Sequence, residues 1–131
     1  MINVLIATDT RYPVNRKVIR RAVDDVFKKH KIGGIESEIS VAVVGARKMK
    51  DLSIKYLKDS DRHDVLTFAL EEVSQEAAFV NPPDDVLRLG DVVLCWPQVL
   101  EAAAKEDIMV DDEVYFLTSH GVEHLLGEHH E

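Results

Sequence analysis

The chain holds a single cysteine, Cys95, set in an apolar run, so no disulfide can form within it and a reducing compartment is expected. A thiol in such a run is ordinarily an inert core residue, which sets Cys95 aside as a nucleophile or a metal ligand. No apolar stretch is long enough to span a bilayer and the N-terminus has no secretory pattern. A soluble, cytoplasmic protein without membrane contact is the expectation. Repeats, low-complexity tracts and interdomain linkers are also missing, and 131 residues with 46% hydrophobic composition suit one domain, residues 1–131, with a real core.

The second half is short of positive charge. Residues 63–131 hold 2 basic side chains against 16 acidic ones, whereas residues 1–62 hold 14 against 8. The net charge of −8, taken alone, argues against a nucleic-acid partner, but its distribution does not. Arg16, Lys17, Arg20, Arg21, Lys28 and Lys29, then Arg47, Lys48, Lys50, Lys55 and Lys58, could follow a phosphate backbone. The same residues fall on helical patterns, where lysine and arginine serve equally well as a solvated face.

Periodicity gives the order βαβαββαα. Ile2 to Thr8 reads as a strand, and Asn15 to His30 as a helix through Val18, Ile19, Ala22, Val23, Val26 and Phe27, closed by Gly33-Gly34. Alternation from Ile35 to Val44 makes the next strand, followed by a helix from about Arg47 to Leu57. Asp64 to Ala69 and Leu89 to Trp96 are further strands, separated by an acidic loop from about Glu71 to Asp85 that contains Pro82-Pro83. Pro97 begins a helix through Leu100 and Ala104, and Asp111 or Asp112 is expected to cap the last helix, which runs to Leu126. The fold class is α/β (α+β): a mixed sheet of about four strands packed with helices, the last of them carrying a metal site.

That site is written in histidines. His120, His124 and His130 stand at H-x3-H-x5-H, with Gly127 seven positions after the first. Residues four apart share a helix face, so His120 and His124 can aim at one ion. Gly127 permits a left-handed helix end, after which His130, or in its place His129, can return a third imidazole. Three imidazoles leave a tetrahedral zinc with one open position, as in catalytic sites. The plain alternative is a polar helix face followed by a polar tail. Glu123 also completes H-x-x-E-H, the inverted zinc-peptidase motif, yet at about 100° per residue it lies roughly 60° from His120 and 100° from His124, off the ligand face. Metzincin peptidases share the histidine spacing but carry glutamate directly after the first histidine, where Gly121 stands.

The tail resembles the H-G-x-x-H-x-x-G-x-x-H signature of the YbeY family of metal-dependent endoribonucleases. Asp64-Val65-Leu66-Thr67-Phe68 resembles the family's D-V-L-S-F strand and Leu89-Gly90-Asp91-Val92-Val93 its L-G-D-I strand; Leu52 to Tyr56 follows its L-N-x-x-Y helix, with Ser53 for asparagine. The resemblance covers nearly the whole chain. It implies zinc on His120, His124 and His130, a cleft beside the ion, a single-stranded RNA substrate, and work in ribosomal RNA maturation and ribosome quality control with the ribosome or its proteins as partners. Where the family helix reads Tyr-Arg, this chain reads Tyr56-Leu57, and that arginine is the group that engages the substrate phosphate in the family. Lys58 or Arg62 are the candidates to replace it, with Glu123 as a candidate base; Arg20, Arg21, Lys55, His63 and Asp64 are candidates to touch substrate. Asp91 is expected to satisfy a nearby backbone or histidine N–H, and His30 to be structural. The expected function is zinc-dependent endoribonuclease; an RNA-binding zinc protein without cleavage comes second and a metallopeptidase third.

Overall fold

The first helix forms because its apolar residues recur on one side. Asn15 accepts a hydrogen bond from the Lys17 backbone N–H at 3.1 Å, which caps α1 (Arg16–Lys29), and Val18, Ile19, Ala22, Val23, Val26 and Phe27 make its buried stripe. Lys28 and Lys29 occupy the last turn, where the helix dipole favours cations. In the computed structural model, which describes residues 2–32, 34–59, 61–69 and 86–129 and of Glu128 and His129 the backbone alone, α1 follows β1 (Ile2–Thr8). The expected loop from Glu71 to Asp85, Gly33 and His130 lie outside the described residues.

β2 (Ser37–Val44) alternates buried and half-buried residues without a break. It pairs in parallel with β1 on one side and with β4 (Leu87–Cys95) on the other. β3 (Val65–Ala69) runs antiparallel to β4 and forms the edge, giving the order β1-β2-β4-β3. Leu89 is an extra residue in β4, since Glu38 pairs with Arg88 and Ile39 with Gly90. Gly90 absorbs this bulge at φ 134, a conformation open to glycine.

Helices cover both faces. α1 and α4 (Val110–His129) pack on the face of Ile39, Val41, Val43, Val92 and Leu94. The opposite face, with Leu66, Val93 and Cys95, is covered by Met49 of α2 (Ala46–Leu52). Cys95 is buried there, as its apolar surroundings predict. α3 (Trp96–Glu106) leads from β4 to α4, with Pro97 in its first turn.

Three local expectations are corrected. The helix expected from Arg47 to Leu57 begins at Ala46 and widens into a π-helical turn over Ser53–Leu57, ended by Lys58 in the left-handed region at φ 59. Asp111 and Asp112 do not cap α4; they sit inside its first turn, where their charge still meets the positive end of the dipole. Gly127 does not end α4 in a left-handed turn: the helix runs through it to His129, because a glycine inside a helix costs only about 1 kcal/mol against alanine.

Candidate active-site edge

α4 has three working sides. Val114, Leu117, Thr118, Gly121, Val122, Leu125 and Leu126 are buried on the sheet side. Glu123 faces α1, where Lys29 Nζ donates to its Oε2 at 2.7 Å and the His30 ring meets its Oε1. These partners hold the Glu123 carboxyl below its ordinary range, Lys29 more than His30. His120 and His124 lie on the remaining side, both exposed, one turn apart. The Phe116 ring, itself exposed, stacks on His120 with centroids 6.2 Å apart and planes 14° from parallel.

The histidine-bearing helix is pressed against the edge strand. A Cβ on Gly121 would stand 2.8 Å from Val92 Cγ1 and 3.3 Å from Thr67 Cγ2, so only glycine lets α4 come this near β3 and β4. Thr67 points toward α4, and its neighbour Phe68 therefore points to the other face. There the Tyr56 ring of the π-helical turn lies 5.0 Å from that of Phe68, and Lys55 Nζ stands 5.2 Å over Tyr56. The histidine helix and the basic, aromatic turn thus grip the same edge strand from opposite faces. Leu57 is half-exposed on this turn, and Lys58 follows it in the left-handed conformation.

The other candidates are spread more widely. Arg62 is exposed and lines a cavity of about 280 Å³ with His63, Asp64, Gln98, Glu101 and Lys105. The His63 ring is engaged by Asp59 at 3.0 Å. Arg20 donates to the Val4 carbonyl at 3.2 Å, and the Arg21 guanidinium lies 5.1 Å over Tyr115, so both sit on α1, across α4 from the histidine side. The structure does not bring them to the β3 edge. For Asp91 the histidine alternative is excluded: strand alternation puts it on the face opposite Val92 and α4, beside Ser40, so it reaches no histidine of that helix. Burial raises its carboxyl, with the Ser40 hydroxyl working against that rise. Tyr56 and Phe68 entered the sequence reasoning only as parts of motifs and Phe116 was given no site role; one turn before His120 along its own face lies Phe116.

Among the described residues no three His, Cys, Asp or Glu side chains cluster closely enough to hold a metal. Two imidazoles share one exposed side of one helix, which is the donor type and spacing zinc takes; His130 and the side chain of His129, the expected sources of a third donor, lie outside the described residues.

One buried acid lies at the near end of α4. Burial first, then Asp64 and Glu106, raise the Glu113 carboxyl above its ordinary range. The folded state then binds more protons than the unfolded chain as pH climbs from that range through the raised value, so stability is lost over this rise. The helix dipole returns about 0.5 kcal/mol to a carboxylate in the first turn. Glu113→Gln is accordingly expected to raise the melting temperature at pH 7 and to lose this gain near pH 4. An equal gain at both pH values in thermal unfolding would show that the ionised Glu113 carries no cost.

The family model described as Endoribonuclease YbeY matches residues 6–131. Similar proteins include an Endoribonuclease YbeY of Dehalococcoides mccartyi, 33% identical over 99% of this chain and 78% of that protein, and one of Roseiflexus, 32% identical over 90% and 72%. A solution structure of a Thermotoga maritima protein superposes with a TM-score of 0.58 at 22% identity, covering 95% of this chain and 71% of that one, which matches the fold.

Proposed function

The chain belongs to the YbeY endoribonuclease family, and from that premise we propose that it is a zinc-dependent enzyme that cuts single-stranded RNA during ribosomal RNA maturation and ribosome quality control. The observation that carries this reading is the pairing of His120 and His124 on one exposed side of α4 with a basic, aromatic turn across the same edge strand. Zinc, when held by His120, His124 and a third imidazole, supplies a Lewis acid and a stronger nucleophile at neutral pH. The protein's own groups do the rest. Lys55 and Lys58 draw the phosphate backbone toward the β3 edge, and Tyr56 offers a ring face to a base. His63 and Asp64 stand at the start of β3, where they meet the strand of RNA, and Arg62 beside them is the guanidinium available for the phosphate. We place this work in the cytoplasm with ribosomal RNA and ribosomal proteins as partners; no described helix is long and apolar enough to cross a membrane.

The peptidase alternative needs Glu123 as its base. Its ion pair with Lys29 and its contact with the His30 ring turn that carboxylate toward α1, so this reading is weaker. Metal-loaded and chelated protein incubated with single-stranded RNA and with unstructured peptide separates the two. Cleavage of peptide alone would end the nuclease reading.

Leu57 decides between an enzyme and a binding protein. A guanidinium placed here stabilises the phosphate in the transition state, so Leu57→Arg is expected to raise RNA cleavage about tenfold, or about 1.4 kcal/mol of barrier, at unchanged zinc content. If the native protein is already fast and Leu57→Arg neutral, Arg62→Ala should abolish activity. If neither form cuts RNA while zinc and ribosome binding persist, the chain is a binding module.

A further inference from the structure

Adjacent parallel strands whose following helices go to opposite faces leave a crevice beyond their carboxyl ends, and open α/β sheets bind ligands there. β1 and β2 are such a pair. α1, which follows β1, packs on the face of Val41 and Val43, whereas α2, which follows β2, packs on the face of Ala42 and Val44. The crevice between them measures about 570 Å³ and is walled by Asp9, Arg11 and Tyr12 from the β1–α1 loop and by Gly45, Arg47 and Lys48 from the start of α2.

Its charges are arranged unevenly. Asp9 is neutralised within the loop: it accepts from Arg11 Nε at 3.1 Å, Nη2 at 2.9 Å and the backbone N–H at 2.8 Å. The Arg11 guanidinium in turn lies 5.6 Å over the Tyr12 ring, so the two present a flat surface on which a base can stack, its charge offset by Asp9. Arg47 and Lys48 are exposed and form no ion pair among the described residues; against them stands Asp51, one turn along α2. Residue 45 must be small for Tyr12 to hold its place, because a Cβ there would stand 2.5 Å from the Tyr12 hydroxyl oxygen.

We propose that this crevice binds a nucleotide, with Arg47 and Lys48 taking the phosphate and the Arg11–Tyr12 surface taking the base. The same helical segment that starts here ends in the Lys55-Tyr56 turn beside β3, eleven residues further or about 16 Å at helical rise. An RNA strand cut at the β3 edge therefore lays a phosphate a few nucleotides away into the crevice. The assignment to an RNA strand rests on the proposed function above; the nucleotide site itself does not.

The test uses the full chain. Adenosine monophosphate is titrated while backbone amide resonances are followed, and the affinity for a labelled single-stranded RNA is measured by anisotropy with and without Arg47→Glu/Lys48→Glu. The nucleotide is expected to shift the amides of Tyr12, Gly45, Arg47 and Lys48, and the double reversal to abolish those shifts and weaken RNA binding about tenfold or more at unchanged zinc content. Both positions are exposed, and Arg47→Gln/Lys48→Gln repeats the test without reversing charge. Crevice shifts with unchanged RNA affinity support a site for free nucleotide instead of a strand. Absence of shifts at the crevice overturns the proposal. Should the native protein bind no RNA at all, the nuclease reading fails, and the nucleotide titration still decides the crevice.

Discussion

His124→Ala is expected to strip the protein of zinc and to cut RNA cleavage about a thousandfold, with the fold intact. The side chain is exposed on α4 and belongs to no buried cluster, so the stability lost is chiefly what the bound zinc itself contributes. The ion's Lewis acidity amounts to several kcal/mol of transition-state stabilisation, and each 1.4 kcal/mol is about a factor of ten in rate. Losing it yields about the thousandfold fall. Elemental analysis and a cleavage assay on single-stranded RNA read the two effects separately. His129→Ala should cost less zinc affinity than His124→Ala, and the reverse ranking would mean that the ligand set differs. A His124→Ala protein that keeps both its zinc and its activity removes the site altogether.

The elements that position this site were legible where one face is buried and the other is not. The stripe of α1 and the alternation of β2 follow directly from that asymmetry, and both lie where periodicity puts them. β4 is different: it is apolar nearly throughout because helices cover both of its faces, and the extra Leu89 breaks its pairing register. Nothing in such a run tells which way Asp91 points, so sequence left a backbone and a histidine N–H equally open as its partner. The π-helical turn was hidden for another reason. Ser53 to Leu57 suit an α-helix equally well, and what re-aims them is the packing of Tyr56 on Phe68 and the left-handed Lys58.

Charge was the least transferable signal. Arg20 and Arg21 belong to the basic half that could follow a phosphate backbone, yet the contacts they make, with a strand carbonyl and a tyrosine ring, are on the α1 side and not at the β3 edge. Glu123 was correctly placed off the histidine face by helix geometry, but its partners stand 94 and 93 residues away in the chain, beyond the reach of local pattern.

Gly121→Val is expected to cost about 3 kcal/mol of stability, because the first atom of any side chain at this position already collides. A Cβ meets Val92 Cγ1 at 2.8 Å and Cγ2 at 3.1 Å, and Val92 is fully buried in the middle of the sheet with nowhere to withdraw. Removing a mid-helix glycine returns at most about 1 kcal/mol of propensity, less for a β-branched residue. Overpacking a tight core costs about 1–3 kcal/mol for added methylenes, and valine adds two methyls beyond the clashing Cβ. Strain therefore wins. The alternative to unfolding is for α4 to lift away from β3 and β4, which would carry His120 and His124 off the edge strand and lower cleavage even in molecules that still bind zinc. Gly127 supplies the control, since nothing stands within 4 Å of a Cβ built there and the helix continues through it. Gly127→Ala should raise stability by up to about 1 kcal/mol. Thermal unfolding ranks the two, and a Gly121→Val protein as stable as Gly127→Ala would show that the helix does not lie against the sheet as described.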